Sequence, residues 1–177
     1  MVSYKETPRA VPEDAMEKKS VYVETSVISY LTARPPRELV AAAWQAETIL
    51  WWETQRGKFD LCVSSLVLEE IGRGDSTAAA KRLEALVGVP LLEVNQEVFA
   101  LADSLVQPTA IPGKAFDDAL HVAVAAVYGI DYLLTWNCRH IDNAEIKPKI
   151  RMICGNCGYF CPEICTPSEL MGDTDHA

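Results

Sequence analysis

The chain has 177 residues, of which 49% are hydrophobic and 23% are charged, and these values exclude a disordered or fibrous protein and indicate a globular one. Twenty-five acidic residues against sixteen basic ones give a net charge of −9, which argues against broad, non-specific binding to a polyanion. The apolar stretches are too short for a transmembrane helix and residues 1–20 lack the apolar core of a signal peptide, so we expect no membrane partner and a cytoplasmic location.

The length predicts a single domain, which we expect over residues 20–171. The polar segment 1–19 contains two prolines and predicts a mobile leader, and residues 172–177 predict a short tail. Any chemistry is therefore expected within one hydrophobic core and on its surface.

The first predicted strand leads directly into a helix. The apolar run 21–24 ends in the acidic residue Glu24, and the hydroxyl residues Thr25 and Ser26 can cap the helix that follows. A pair of prolines ends that helix, and a second helix is expected over residues 37–56, before a glycine.

The second predicted strand, residues 59–63, is followed by a short helix with two acidic residues. Ser64 or Ser65 can cap this helix, and Glu69 and Glu70 lie between its apolar positions. Glycines end the helix soon after the acidic pair.

The middle of the chain continues the alternation of helices and strands. Asp75 can cap an alanine-rich helix that reaches about residue 87, and a third strand is expected at 91–94. Asn95 can cap the next helix, and residues 108–113 predict a loop.

The last two predicted elements both have polar side chains near one end. They are a helix at 114–128 with Asp117, Asp118 and His121, and a strand at 132–135 that ends at Thr135, with Asn137 two residues later. Beyond this point the periodic signals weaken.

Strands that alternate with helices and consist of continuous apolar runs predict an α/β fold whose parallel sheet is covered on both faces. Such a fold would bring the acidic segments to one edge of the sheet. Buried carboxylates repel one another unless a cation or a shared proton offsets the charge. The sequence therefore predicts a divalent-metal site, and metal-assisted phosphodiester hydrolysis is the leading hypothesis.

Basic residues accompany the acidic ones. Arg73 follows Glu70 by three residues, Lys114 precedes Asp118 by four, and Arg139 comes soon after the fourth strand. These side chains could contact phosphates beside the carboxylates. Ordinary ion pairing on a solvated face is the alternative interpretation.

Four of the six cysteines are close together near the end of the chain. They are Cys154, Cys157, Cys161 and Cys165. Four thiolates could in principle bind zinc, but zinc sites usually pair two Cys-x-x-Cys motifs across a longer spacer. We therefore favour unligated or opportunistically paired thiols over a zinc interaction module.

Together, the four polar segments resemble the PIN-domain family of metal-dependent ribonucleases, and among them the VapC-type toxins of toxin–antitoxin pairs. The resemblance runs from about Val21 to Leu170 and includes Thr-Pro-Ser-Glu-Leu near the end of the domain. It implies a three-layer α/β/α fold with a short parallel sheet and a Mg²⁺ or Mn²⁺ pocket. It also implies hydrolysis of RNA by a metal-activated water, a homodimer and a small antitoxin protein as partner.

The same resemblance implies roles for individual residues. Glu24, Glu70 and Asp118 match the metal ligands of the family, with Glu70 and Asp118 matching better than the acidic residue before each. Asn137 completes the expected catalytic set, at a position where a fourth carboxylate is common. The residues expected to contact the substrate are Ser26, Thr135, Arg73, Lys114 and Arg139.

Two positions depart from the family pattern. Glu24 stands where the family usually has an aspartate, and Asn137 removes one negative charge. The alternative hypothesis is therefore a catalytically weakened or inactive PIN-like module that binds RNA or a protein partner. His121 could act as a base, although a histidine satisfied in the core or at the surface is the commoner case.

Overall fold

The structure of the chain is a computed structural model that describes residues 18–106 and 110–172. Most of the expected leader, up to residue 17, lies outside the described residues, as does most of the expected tail, from residue 173. Residues 107–109, which include the start of the predicted loop, lie outside them as well.

Five parallel strands form one sheet in the order β3-β2-β1-β4-β5. They are β1 (Ser20–Val23), β2 (Asp60–Ser64), β3 (Leu91–Leu92), β4 (Tyr132–Leu134) and β5 (Glu163–Cys165). In the central strand, Val21 pairs with Leu61 on one side and with Tyr132 on the other. The predicted α/β class with a parallel sheet is confirmed, and the central strand is apolar because both of its faces are covered.

Seven α-helices flank the sheet in the described part of the chain. They are α1 (Thr25–Thr32), α2 (Leu39–Thr54), α3 (Ser65–Ile71), α4 (Ser76–Ala85), α5 (Gln96–Val106), α6 (Phe116–Val127) and α7 (Lys147–Asn156), with short 3₁₀ turns at Arg56–Lys58 and Gly113–Ala115. Helix α1 packs against α2, α3 and α4, whereas α5 packs against α6 and α7. The helices thus form two groups with the sheet between them, which gives the expected three layers. None of the described helices is long and apolar enough to cross a membrane.

The path of the chain through the sheet reverses beside β1. From β1 the chain continues to β2 and β3, and it then returns to the other side of β1 to form β4 and β5. A crevice opens at the carboxyl ends of the strands where such a reversal occurs, and it is the usual ligand site of an open parallel sheet. The polar segments after β1 and β4 therefore meet at this edge.

Helix α6 is the most deeply buried helix of the fold. Its eight consecutive residues 119–126 are all buried, and most of them are alanine or valine. Small side chains let α6 pack closely against its neighbours, while the acidic pair in its first turn stays less buried. The one polar residue within the buried stretch is His121.

Several predicted element boundaries differ from the observed ones by one or two residues. Helix α6 begins at Phe116 instead of residue 114, because a 3₁₀ turn occupies the two positions before it. Strand β3 has two residues instead of four, and α4 ends at Ala85. The sequence interpretation missed α7 and β5, because a three-residue strand is too short to show a hydrophobic period.

Candidate metal centre

Glu24 lies between β1 and α1, at the carboxyl edge of the sheet. It is only 6% exposed and serves as the N-cap of α1, because its Oε1 accepts the backbone N–H of Ser26 at 3.1 Å. Its Oε2 accepts the hydroxyl of Thr135 at 2.7 Å and also the hydroxyl of Ser26. Three donors therefore offset the cost of burying this carboxylate.

Glu70 from α3 and His121 from α6 reach the same place. The Nε2 atom of His121 lies 3.1 Å from Glu70 Oε2 and 3.9 Å from Glu24 Oε1. The hydroxyl of Thr25, the first residue of α1, also donates to Glu70 Oε2. Two carboxylates and one imidazole thus offer ligand atoms that all lie within 4.8 Å of one another.

The pKa shifts of this group show how strongly its charges interact. Burial alone raises the pKa of the Glu70 carboxyl, but the hydrogen bond and charge of His121, with smaller effects from Thr25 and Arg73, bring it below its ordinary value of 4.5. Burial alone lowers the pKa of the His121 imidazole, but the bond to Glu70 and the negative charges of Glu24, Glu70 and Asp118 raise it above 6.5. The imidazole and the carboxylates thus each favour the charged form of the other.

A buried tyrosine fixes the ring of His121. The hydroxyl of Tyr22, from β1, lies 2.8 Å from His121 Nδ1 and 2.7 Å from the hydroxyl oxygen of Ser64. Burial, with a small contribution from nearby acidic groups, raises the pKa of Tyr22 well above 10, so its hydroxyl keeps its proton. Because Nδ1 is occupied by Tyr22, the other nitrogen is directed at the two carboxylates.

Asp118 belongs to a second, adjoining group. Its Oδ1 accepts the side-chain amide of Asn137 at 2.9 Å, and its Oδ2 lies 2.7 Å from His140 Nδ1. The amide oxygen of Asn137 in turn accepts the backbone N–H of His140 at 3.1 Å. Asp118 and Glu70 both line an open cavity of about 400 Å³, which connects the two groups.

The segment after β4 ties these two groups together. The backbone N–H of Trp136 donates to Ser26 Oγ at 2.9 Å, and that of Asn137 donates to Thr135 Oγ1 at 2.9 Å. Through Thr135 this segment holds Glu24, and through Asn137 it holds Asp118. The relative position of the acidic side chains therefore depends on the end of β4.

Comparison with known proteins identifies the family. The sequence profile of the PIN domain family matches residues 21–145, which is more than half of the chain. The chain belongs to the PIN domain family. Comparison with the curated proteins gives no match.

Two solved structures share the fold of this PIN domain. One is VapC20 from Mycobacterium tuberculosis, a toxin that cleaves the sarcin–ricin loop, with 21% identity and a TM-score of 0.50 over 64% of this chain and 86% of that chain. The other is VapBC2 from Rickettsia felis, bound to a DNA fragment from their promoter, with 14% identity and a TM-score of 0.54 over 83% of this chain and 98% of that chain. At these identities the likeness shows a common fold.

The donor set of this PIN domain fits a divalent cation. Two carboxylates and an imidazole that has released its Nε2 proton are ligands that divalent ions accept, and carboxylate oxygens suit Mg²⁺ and Mn²⁺ in particular. Glu70 Oε1 has no hydrogen-bond partner among the described residues, so one carboxylate oxygen remains available. Among those residues, Glu24, Glu70 and His121 form the only such group of three ligands.

The structure of this PIN domain brings Glu24 and Glu70 together, as the sequence predicts. Asp118 lies beside them in the cavity, but it is outside the group of ligand atoms within 4.8 Å among the described residues. Ser26 and Thr135 bind the Glu24 carboxylate. Both hydroxyls therefore hold a proposed ligand in place.

The three basic residues expected at the substrate have different surroundings. Lys114 lines the cavity beside Asp118, and Arg139 is exposed close to His140. Arg73 is exposed and pairs with Glu69 at 2.7 Å, which agrees with the alternative interpretation of ion pairing on a solvated face. Lys114 is thus the basic residue in direct reach of the cavity.

Sequence reasoning gave His121 only a minor place and left out Tyr22 and His140 as site residues. The available signal was a single polar residue inside the apolar stretch of a helix, three positions after Asp118 and therefore on the same helical face. Tyr22 lies two residues before Glu24 and His140 three residues after Asn137, but the sequence does not show their contacts, because their partners lie on other elements.

The cysteines form no comparable group. All six are free thiols. Within the described part of the chain, no three of the four clustered thiols lie within 4.8 Å of one another. The structure therefore offers no support for a zinc module at this end of the domain.

Proposed function

We propose that this PIN domain is an endoribonuclease that depends on Mg²⁺ or Mn²⁺ and serves as the toxin of a type II toxin–antitoxin pair. Family membership and the fold shared with VapC20 and VapBC2 support a nuclease. The observation that carries the proposal is the convergence of Glu24, Glu70 and His121 at the carboxyl edge of the sheet. Without a bound cation, a chain of net charge −9 would attract a polyanion such as RNA only weakly.

In this proposal Glu24, Glu70 and His121 hold the ion. A bound divalent ion supplies positive charge that polarises a phosphate oxygen and makes water easier to deprotonate. Because one of the three ligands is an imidazole, we expect Mn²⁺ to bind more tightly than Mg²⁺, which prefers oxygen ligands.

The other residues of the cavity position the substrate and its protons. Lys114 lies where its ammonium group can meet a phosphate oxygen of the RNA. The Asp118–His140 pair faces the same cavity and can hold a proton between its two members. Ser26 and Thr135 fix Glu24, so the carboxylate does not have to reorganise when the ion binds.

One observation favours the alternative of a weakened or inactive PIN-like module that binds RNA or a protein. Both oxygens of Asp118 are already engaged by Asn137 and His140, which leaves this carboxylate poorly placed to bind an ion. Ion binding without cleavage would support this alternative.

We also propose a small antitoxin protein as a partner and a homodimer as the assembly. Support comes from the resemblance to VapC-type toxins and from the fold shared with VapBC2. Light scattering of the purified protein tests the dimer, and a monomer at micromolar concentration would contradict it.

The decisive experiment compares Glu70→Gln with Glu69→Gln. Both changes remove one carboxylate from α3, but Glu69 is exposed and paired with Arg73, so it serves as a matched control. We expect Glu70→Gln to lower Mn²⁺ affinity and the rate of RNA cleavage by at least about 100-fold, because it removes a charged ligand. Isothermal titration with MnCl₂ and cleavage of a single-stranded RNA measure the two effects.

The control variant should keep both the Mn²⁺ affinity and the cleavage rate of the wild type. If Glu70→Gln folds and still cleaves RNA at the wild-type rate, the proposed centre is wrong. If the wild type binds Mn²⁺ but does not cleave RNA, the alternative of an inactive module holds.

A further inference from the structure

A second, basic cavity lies between the end of α1 and the start of α4. Its volume is about 300 Å³, and it is separate from the cavity that contains Asp118. The polar side chains that line it are those of Ser29, Thr32, Arg34, Thr77, Lys81 and Arg82, together with Asp75. Two guanidinium groups and one ammonium group thus face a single carboxylate.

The charges of this cavity are poorly compensated by the protein itself. Among the described residues, the side chains of Arg34 and Lys81 have no hydrogen-bond or ion-pair partner. Asp75 is the N-cap of α4, and its Oδ1 accepts the backbone N–H of Ala78 at 2.9 Å. A chain with a net charge of −9 therefore keeps a local concentration of positive charge at this point.

Arg82 provides an independent sign of a missing partner. One of its terminal nitrogens donates to the backbone carbonyl of Arg73 at 2.8 Å, but its Nε atom is buried without any acceptor. It is the only buried side-chain nitrogen or oxygen without a partner in the described part of the chain. An unsatisfied buried donor is destabilising, and more so when it is charged, so the Arg82 guanidinium would gain from turning toward an acceptor outside the chain.

The cavity lies on the same side of α1 as the candidate metal centre. Thr25, which donates to Glu70, shares one helical face with Ser29 and Thr32, since they are four and seven residues apart. At 1.5 Å per residue, they lie roughly 6 and 10 Å further along the helix axis. Arg82 is also anchored to Arg73, three residues after Glu70.

We propose that this cavity binds a phosphate group of the RNA strand next to the phosphodiester that is cleaved. The inference rests on the proposed ribonuclease function and adds a second contact for the same substrate. Arginine, lysine and hydroxyl side chains are the groups that proteins use to bind phosphate oxygens, and Arg34, Lys81 and Arg82 line this cavity. The cavity is small, which suits a compact tetrahedral anion better than an acidic peptide segment.

Nuclear magnetic resonance can observe the proposed contact directly. The Nε–H signal of Arg82 is assigned by its loss in Arg82→Gln, and the wild type is then titrated with inorganic phosphate and with a 2′-O-methyl RNA oligonucleotide, both without metal. We expect this signal to shift with both ligands. A signal that stays in place at saturating oligonucleotide would overturn the proposal.

Affinity measurements use a pair of matched lysine variants. Lys81→Gln removes a charge from the cavity, whereas Lys149→Gln removes the same charge from an exposed position on α7. Anisotropy of the labelled 2′-O-methyl oligonucleotide, measured at several salt concentrations, gives the affinity and its salt dependence. Because Lys81 is exposed, its variant should fold even if Arg82→Gln does not.

We expect Lys81→Gln and Arg82→Gln to weaken binding about tenfold, since each loses a charged hydrogen bond. The slope of log affinity against log salt should become shallower by about 0.7, as expected for one lost phosphate contact on a single strand. Lys149→Gln should match the wild type. The proposal would be overturned if the wild type, Lys81→Gln and a folded Arg82→Gln bound the oligonucleotide with equal affinity. It would also be overturned if the two variants lost affinity for a glutamate-rich peptide but kept their affinity for RNA.

These binding experiments need neither cleavage nor metal. Failure of the wild type to cleave RNA would therefore refute the proposed catalysis, whereas unchanged oligonucleotide binding in the cavity variants would refute the phosphate site.

Discussion

At the scale of single residues, the two departures from the family pattern have local structural reasons. The longer side chain of Glu24 curls back to accept both the N–H and the hydroxyl of Ser26, so the additional methylene places its carboxylate at the cap of α1. Asn137 has an amide that donates to Asp118, which a carboxylate at this position could not do. The Glu24 carboxylate is thereby held by Ser26, and the Asp118 carboxylate by Asn137.

Tyr22 is predicted to support metal binding through His121. Tyr22→Phe removes the hydroxyl that contacts both His121 Nδ1 and Ser64, so the imidazole loses the group that orients it. We expect Mn²⁺ affinity to fall about 10- to 100-fold, as is usual when the partner of a histidine ligand is removed. Titration calorimetry with MnCl₂ measures the change.

Tyr30→Phe is the matched control for this change, because the hydroxyl of Tyr30 has no hydrogen-bond partner among the described residues. It should bind Mn²⁺ as the wild type does. Wild-type affinity in a folded Tyr22→Phe protein would show that His121 needs no such support.

At the scale of elements, α2 holds the segment that connects the two acidic groups. The ring of Trp136 stacks on that of Trp44 with centroids 5.0 Å apart, and its indole N–H donates to the hydroxyl of Thr48 at 2.7 Å. Trp136 lies between Thr135, which binds Glu24, and Asn137, which binds Asp118. A helix remote from the sheet edge thus fixes the geometry of the centre.

Thr48→Val is predicted to destabilise the protein by about 1–3 kcal/mol. The change keeps the shape of the side chain but leaves the buried indole N–H of Trp136 without an acceptor. Urea unfolding followed by tryptophan fluorescence measures the free energy of unfolding. The cleavage rate should also fall, because the segment after β4 loosens.

Thr54→Val is the control, since the hydroxyl of Thr54 also donates to a carbonyl four residues earlier on α2 but is exposed; it also accepts the side-chain amide of Gln55 at 3.2 Å. A smaller loss than that of Thr48→Val is expected here. Equal losses in the two variants would indicate that the helix itself, rather than the contact with Trp136, is affected.

At the scale of the whole molecule, the sheet is also held at the edge opposite to the metal centre. The carboxylate of Asp131, just before β4, accepts the backbone N–H and the hydroxyl of Ser20 at 2.9 Å each, and the ammonium of Lys19 at 2.7 Å. The hydrogen bond from Lys19, followed by the one from the Ser20 N–H, lowers the pKa of Asp131 below 3.8. The Asp131 carboxylate therefore links the start of β4 to the start of β1 through hydrogen bonds and an ion pair.

This arrangement predicts a specific dependence of stability on pH. Because the pKa of Asp131 is lower in the folded than in the unfolded chain, its stabilising effect is present above pH 3.8 and is lost as the pH falls through the folded value. Asp131→Asn should therefore be less stable than the wild type at neutral pH, and the difference should shrink in acid. Urea unfolding between pH 7 and pH 3 measures it.

Asp60→Asn serves as a control, because Asp60 is exposed and its carboxylate has no hydrogen-bond partner among the described residues. The free energy of unfolding of Asp60→Asn should differ from that of the wild type by a small amount throughout this pH range. A difference for Asp131→Asn that does not change with pH would contradict the prediction.

The alternation of strands and helices, the acidic residue at the end of β1 and the acidic pairs on α3 and α6 can all be read from the sequence, because each depends on local spacing. They were sufficient to predict the parallel sheet and the meeting of Glu24 with Glu70. The strand β5 could not be predicted, since three residues are too few to show a hydrophobic period, and the sequence interpretation also missed the ten-residue helix α7.

The sequence by itself determined the fold class and the acidic character of the site, because hydrophobic periodicity and residue type are local properties. Only the tertiary structure decided that His121 joins the carboxylates, that Asp118 is tied to Asn137 and His140, and that a basic cavity opens beside α1. The contacts concerned join different elements of the fold: His121 and Glu70 are 51 residues apart, and Asp118 and Asn137 are 19 apart. Such partners are set by how the helices rotate and pack on the sheet, which no local pattern specifies.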